Sequence, residues 1–293
     1  MANIFAVSNV VAKNAASLLK AELVLGRLVF REAESDFIGG RGDTVRVRIP
    51  RILQASKFTG STSAISTPLN EQTVSVTLNT HAMQPLELTA KDMTLEVENF
   101  SAQVLMPQVS GVAEMIEAEI GAVMQPVITA ATLTIDPKDP RDAITQAGEI
   151  LDTRKVGAKT RVLVVSPNVK RALLMDPNLS QVDSAGSPSA LRDAIVGRLH
   201  GFDVYMSPFI TDGAVAMTRE AFAAAIKAPA KPESVSGASA LDDDGQGYAM
   251  TWFVSFNGET RTEMSVVEAF VGATVLDAQR AVGLKFVPAT APA

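Results

Sequence analysis

The chain of 293 residues contains no cysteine. Disulfides, thiolate metal sites and cysteine nucleophiles are therefore excluded, and stability must come from packing and association. That absence is compatible with a reducing cytoplasm. There are only two histidines, His81 and His200, far apart in sequence and in no metal-ligand spacing. No flanking motif supports a nucleophile–histidine–carboxylate site. No GxxxxGK[ST] phosphate loop occurs, and Gly39-Gly40-Arg41-Gly42 follows no buried strand and opens no helix, as a dinucleotide fingerprint would. Asp242-Asp243-Asp244-Gly245 has contiguous rather than alternating acids and reads as a solvated loop, not a calcium site. No catalytic residue, metal or cofactor is expected. No window holds about eighteen uninterrupted apolar residues, so no membrane partner is expected either. With 26 basic and 32 acidic residues the net charge is −6, which argues against holding nucleic acid through overall charge. A face that repels a packed polyanion fits this balance equally well.

What is present is apolar residue in quantity, 47%, enough to bury a sizeable core, and distinct patterning. Met1–Phe30 is apolar with Lys13, Lys20, Glu22 and Arg27 inside it rather than before it, unlike a signal peptide. It reads either as an amphipathic helical arm or as the first helix of a globular domain. After Gly39–Asp43 the chain alternates: Val45, Val47 and Ile49 fall on one face of a strand over 44–52, Arg46 and Arg48 on the other. Residues 55–70 form a Ser/Thr/Gly-rich tip that carries Lys57. A return strand covers about 72–80, with Val74, Val76 and Leu78 on its apolar face. A lone hairpin is marginal in water and its edges invite another chain. Arg46, Arg48 and Lys57 are therefore the candidate contacts between copies of the protein.

A long amphipathic helix is predicted from an Asn99 N-cap, with Val109, Val112, Ile116, Ile120 and Val123 at helical spacing. Pro107 implies a kink or a short abutting helix, and Gln125-Pro126 the end. Val112, Ile116 and Ile120 are the candidate core of this helix, facing strands at 248–256 and 260–271 through Trp252, Val254 and Val267. From Arg141 the pattern alternates: helix 141–153, strand 160–165, a Ser166-Pro167 helix start running through Met175, a short helix 189–198 ending at His200, and strands 202–206 and 214–217. Residues 228–247 read as a surface loop that would accept an insertion after Ser239. Asn257-Gly258 predicts a tight hairpin, Trp252, Phe253 and Phe256 read as core, and a last strand covers about 282–287.

The order of arm, extended hairpin, long helix, α/β unit and returning long strands resembles the major capsid (coat) proteins of tailed bacteriophages, with their Hong Kong 97-type α+β fold. Gly42-Asp43-Thr44-Val45-Arg46-Val47-Arg48-Ile49-Pro50 is similar to the start of that family's extended loop. Leu86-Glu87-Leu88-Thr89 through Glu98-Asn99-Phe100-Ser101 and Val104-Leu105-Met106-Pro107 resembles the approach to its spine helix. Gly201-Phe202-Asp203-Val204-Tyr205 with Ser207 resembles a strand of its axial domain. The resemblance is nearest to the podophage coat-protein subgroup, without the large inserted β domain for which this chain is too short. It implies an N-terminal arm at 1–38, an extended loop at 39–90, a peripheral domain at 91–135 and 248–288, and an axial domain at 136–247. It further implies a virion protein, assembled in the host bacterial cytoplasm into hexamers and pentamers of an icosahedral shell. The implied partners are scaffolding and portal proteins and, by non-specific contact, packaged double-stranded DNA. Some members cross-link a loop lysine to a neighbour's asparagine, but no acid near Lys57 can be assigned as catalyst. The competing readings are an encapsulin-like nanocompartment shell and an α/β enzyme of unrecognised type.

Overall fold

A computed structural model describes residues 24–32, 42–49, 57, 72–89, 100–175, 195–231, 233, 235–240 and 249–287. A short helix α1 (Leu25–Leu28) comes first. The hairpin strands β1 (Thr44–Ile49) and β2 (Gln72–Thr77) and the ten-residue strand β3 (Thr80–Thr89) follow. A π-helical turn, Ser101–Leu105, leads into the long helix α2 (Met106–Thr129). Then come β4 (Leu133–Ile135), α3 (Pro140–Thr153), β5 (Arg161–Val165), α4 (Pro167–Met175), β6 (Ile195–Leu199), β7 (Phe202–Met206) and β8 (Gly213–Thr218). The chain closes with β9 (Phe222–Lys227), β10 (Ser236–Ala240), β11 (Met250–Asn257), β12 (Thr262–Val275) and β13 (Ala281–Phe286).

Two larger sheets share the long helix. In the first, β12 is the hub. Its residues 262–268 pair with β11 on one edge and β3 on the other, and β9 takes over the edge that β11 leaves, from Phe270 to Val275. β10 pairs outside β11. The second sheet has the order β4-β13-β8-β5-β7-β6 and mixes parallel and antiparallel pairs. Helix α2 buries Val112, Ile116 and Ile120 in one continuous core with Trp252, Val267 and Val271 of the first sheet and Val164, Val215 and Met217 of the second. The opposite face of the second sheet is covered by α3 and α4 through Ile144, Leu151, Val169 and Leu173. At the far end of α2 the backbone of β13 comes so close that a Cβ at Gly283 would collide with the carbonyl of Val127. Only glycine permits that approach.

Several expectations are corrected by this architecture. The long helix does not end at Pro126 but continues to Thr129. Proline there leaves the carbonyl of Ala122 without its intrahelical donor, at a point where Ala122 and Pro126 are both exposed. At Pro107 the second alternative holds: a short π-helical piece, Ser101–Leu105, abuts the main helix, and Pro107 falls in the first turn of α2, where its missing N–H costs no intrahelical bond. Part of the segment expected as a helix at 189–198 is strand: Ile195–Leu199 pairs with β7, and His200-Gly201, at φ 46° and 86°, form the tight turn between them. His200 therefore ends no helix.

Within 228–247, Ser236–Ala240 is an edge strand in register with β11, Ser239 facing Thr251. An insertion after Ser239 would break that ladder. Asn257 and Thr262 pair across a four-residue loop in which Arg261 takes the left-handed conformation, so the turn is not the two-residue kind. Phe256, at 67% exposed, is not core, whereas Trp252 is buried. The sheets also cut across the expected division at 136–247 and 248–288. β9 and β10 belong with β11 and β12, while β13 joins the other sheet, because the chain crosses between the sheets after β8 and again after β12. Asn99 and most of the 55–70 tip lie outside the described residues.

Ile116 has no exposed surface. Ile116→Ala is expected to lower the unfolding free energy by about 2–5 kcal/mol. Glu114→Ala, on the solvent side of the same helix, should change it by no more than about 0.5 kcal/mol. Denaturant unfolding of the two variants gives the comparison, and equal small losses would contradict the packing of α2 between the sheets.

Candidate assembly surface

The hairpin β1–β2 forms a two-stranded sheet of its own, with Thr44 opposite Thr77 and Ile49 opposite Gln72. Its base is not unsupported, as the sequence pattern suggested. Val47 and Val76 are buried against Ala223, Ala225 and Leu276, so the apolar face is seated on β9 and the end of β12. A Cβ at Gly272 would collide with the carbonyl of Thr77, which shows how closely the arm crosses β12. The other face is polar and exposed, with Arg46 and Arg48 two residues apart on the same side and Thr73 and Ser75 beside them. Lys57 is also exposed. The residues on either side of Lys57, which join the two strands, lie outside the described residues. Arg46 and Arg48 thus share one exposed face of the hairpin.

Behind the arm, two buried polar groups fix the long helix. Gln108 sits one turn before Val112 on the buried stripe. Its Nε2 donates to the carbonyls of Gln84 (2.9 Å) and Ser265 (2.8 Å), and its Oε1 accepts from the Ser265 hydroxyl at 2.9 Å. Trp252 Nε1 donates to the same hydroxyl at 3.0 Å. Helix α2 is tied in this way to β3, β11 and β12 at one point, with the side-chain amide used from both ends. Buried polar groups that are satisfied specify register, and losing one partner leaves the rest costly.

The second group is Glu117, 4% exposed. It accepts from the backbone N–H of Leu25 at 2.7 and 3.0 Å and of Gly26 at 3.3 Å, capping the free amides at the start of α1. Burial pushes its carboxyl above the ordinary glutamate range. The backbone N–H groups of Leu25, Gly26 and Val24 and the charge of Arg27 pull in the opposite direction without cancelling it. Sequence reasoning passed over both residues. The available signal was a Gln and a Glu at helical spacing within the apolar stripe, where a solvent-facing polar residue would not fall.

The two histidines are separated in the fold as in the sequence. His81 on β3 places Nε2 at 2.9 Å from Glu268 Oε2 and stacks near Phe270, on the side of the first sheet away from α2. His200 occupies the exposed β6–β7 turn. Among the described residues no three His, Asp or Glu side chains gather as a metal site would require. No described helix is long and apolar enough to cross a membrane.

No protein-family model and no curated protein matches the chain. Solved structures do. A chain from Mycobacterium phage Che8 is 15% identical, with a TM-score of 0.62 over 90% of both chains. A chain of the capsid of cyanophage P-SCSP1u is 11% identical, with a TM-score of 0.60 over 84% of both. A chain of a virus-like particle from Pyrococcus furiosus is 8% identical, with a TM-score of 0.52 over 92% of this chain and 96% of that one. The chain has the fold of tailed-phage capsid proteins, the α+β architecture implied by the sequence resemblance.

Truncating Gln108 to Ala would leave the Ser265 hydroxyl without its acceptor in the core. It is expected to cost about 1–3 kcal/mol, whereas the exposed Gln146→Ala should stay within about 0.5 kcal/mol. Trp252 is the only tryptophan and belongs to the network, so its fluorescence reports unfolding at this junction directly.

Proposed function

We propose that this chain is a major capsid protein that self-assembles into an icosahedral shell around the double-stranded DNA genome of a tailed phage. The observation that carries the reading is the match of fold to capsid structures along at least 84% of both chains. Its work is then structural rather than enzymatic: repeated contacts between copies, made on a rigid frame. On this reading the hairpin is the extended loop, α2 is the spine helix, the sheet built on β12 is the core of the peripheral domain, and the β4–β13 sheet is the axial domain.

The arm supports an assembly role by its chemistry. Its apolar face is used up within the subunit, which leaves the polar face with Arg46 and Arg48 for a neighbour. The chain as a whole carries net charge −6, so acidic groups outnumber basic ones on the copy that this face would meet. Each exposed ion pair is worth only about 0–1 kcal/mol, but a shell repeats it at every equivalent contact. Lys57 extends the same charge toward the tip. Hexamers and pentamers of this subunit form the shell, with scaffolding and portal proteins as its assembly partners and the host cytoplasm as the place of assembly. The packaged DNA is touched only weakly and non-specifically, since a net acidic chain offers little electrostatic hold on phosphate.

An encapsulin-like shell around a protein cargo is the second reading. It has support in the likeness to the Pyrococcus furiosus particle chain, at the lower TM-score of 0.52. Particles that contain DNA favour the first reading, and particles that contain a cargo protein favour the second.

Electron microscopy of the purified protein at high concentration, with any scaffold supplied, is expected to show closed shells or extended sheets. A protein that remains monomeric by light scattering would sink the proposal. Reversing Arg46 and Arg48 together to Glu should preserve the circular dichroism of the subunit and abolish particles. Normal particle yield from that double variant would remove the arm charges from the mechanism while leaving the shell reading intact.

A further inference from the structure

The segment from Val24 to Phe30 lies against the body of the subunit through two unlike attachments. Its second half is stitched to β9: Phe30 N–H donates to Phe222 O at 2.9 Å, Ala224 N–H donates to Phe30 O at 3.0 Å, and Arg219 Nε donates to Val29 O at 3.1 Å. These are uncharged backbone bonds and one bond from a permanently charged guanidinium, and they do not respond to moderate pH. The first half rests on the buried apolar side chains of Leu25 and Leu28 and on the Glu117 carboxyl, which takes the amides of Leu25 and Gly26.

That anchor is an acid withdrawn from water, with amides rather than a buried cation for partners. The charged group that faces it is Arg27, on the docked segment itself, and the Arg27 side chain is exposed. On α2, Glu114 points to solvent, and Arg219 is engaged with the Val29 carbonyl. Lifting the segment would uncover Glu117 and return it to an ordinary aqueous environment. The docked and lifted states therefore differ in their affinity for one proton.

We propose that Glu117 makes the docking of residues 24–29 onto the long helix proton-dependent, so that the segment is held more tightly in mild acid than at neutral or alkaline pH. The direction follows from the raised carboxyl of the docked state. Stability from this group is fully present below the ordinary glutamate value and is lost as pH rises through the higher, docked value. The device belongs to the single subunit and does not depend on the shell reading.

Hydrogen exchange by mass spectrometry tests this on dispersed full-length subunits, after correction for the intrinsic pH dependence of exchange. From about pH 8 to about pH 5, protection of the peptide spanning 24–32 should rise, by at most about tenfold per pH unit for one linked proton. Protection of β5 should stay flat. Glu117→Gln, which keeps an acceptor oxygen without the charge, should remove the pH dependence at 24–32. Flat or falling protection in the native chain would overturn the proposal, and so would an equal slope in β5 or an unchanged slope in the Gln variant. Should that variant not fold, the comparison of 24–32 with β5 in the native chain decides alone. Particle formation is scored separately by light scattering, so failure here leaves the shell reading untouched, and the reverse.

Discussion

Everything else in the subunit is arranged around the burial of one helix on more than one side. Helix α2 carries its apolar stripe through Val109, Val112, Ile116, Ile120 and Met124, and this stripe is shared between two sheets that have no strand in common. Each large aliphatic residue so buried contributes about 1.5–3 kcal/mol, and the contribution is lost if either sheet moves off. The helix therefore couples the sheets mechanically. The glycines at its far end, Gly213 and Gly283, let β8 and β13 approach until backbone meets backbone. A strut of this kind fits the shell role proposed above, in which geometry is held under load.

Apolar burial holds the helix by shape, without directional bonds. Gln108 and Glu117 supply the missing direction, one by hydrogen bonds that fix α2 on the first sheet, the other by receiving α1. The two differ in kind. The amide of Gln108 is neutral and its hold is constant. The carboxyl of Glu117 is titratable and its hold varies with proton concentration, which makes the N-terminal attachment the adjustable member of an otherwise fixed frame.

The exposed chemistry is plain by comparison. The polar face of the hairpin carries guanidinium groups, the histidines are isolated from each other, and ion pairs such as Arg280 with Asp277 and Glu220 tie neighbouring turns of the same chain.

Residue patterning by itself determined the elements whose signal is local. The alternation at 44–49 and 72–77, the helical spacing from Val109 to Ile120, the Pro-initiated helix at 167–175 and the strands at 161–165 and 202–206 all appear where their periodicity places them. The order of these elements was enough to suggest the capsid architecture. Tertiary structure decided what local signal does not encode. β3 contains Pro85 and exposed Met83 and Glu87, and it is a strand only because the edge of β12 supplies its partners. Ser236–Ala240 has loop composition and becomes a strand for the same reason, since pairing uses backbone groups that every residue carries. Of the candidate contacts, Arg46 and Arg48 were legible because strand alternation sets their face. The buried roles of Gln108 and Glu117 were not, because a polar side chain acquires such a role only when distant backbone, at 84, 265 and 25, is brought to it.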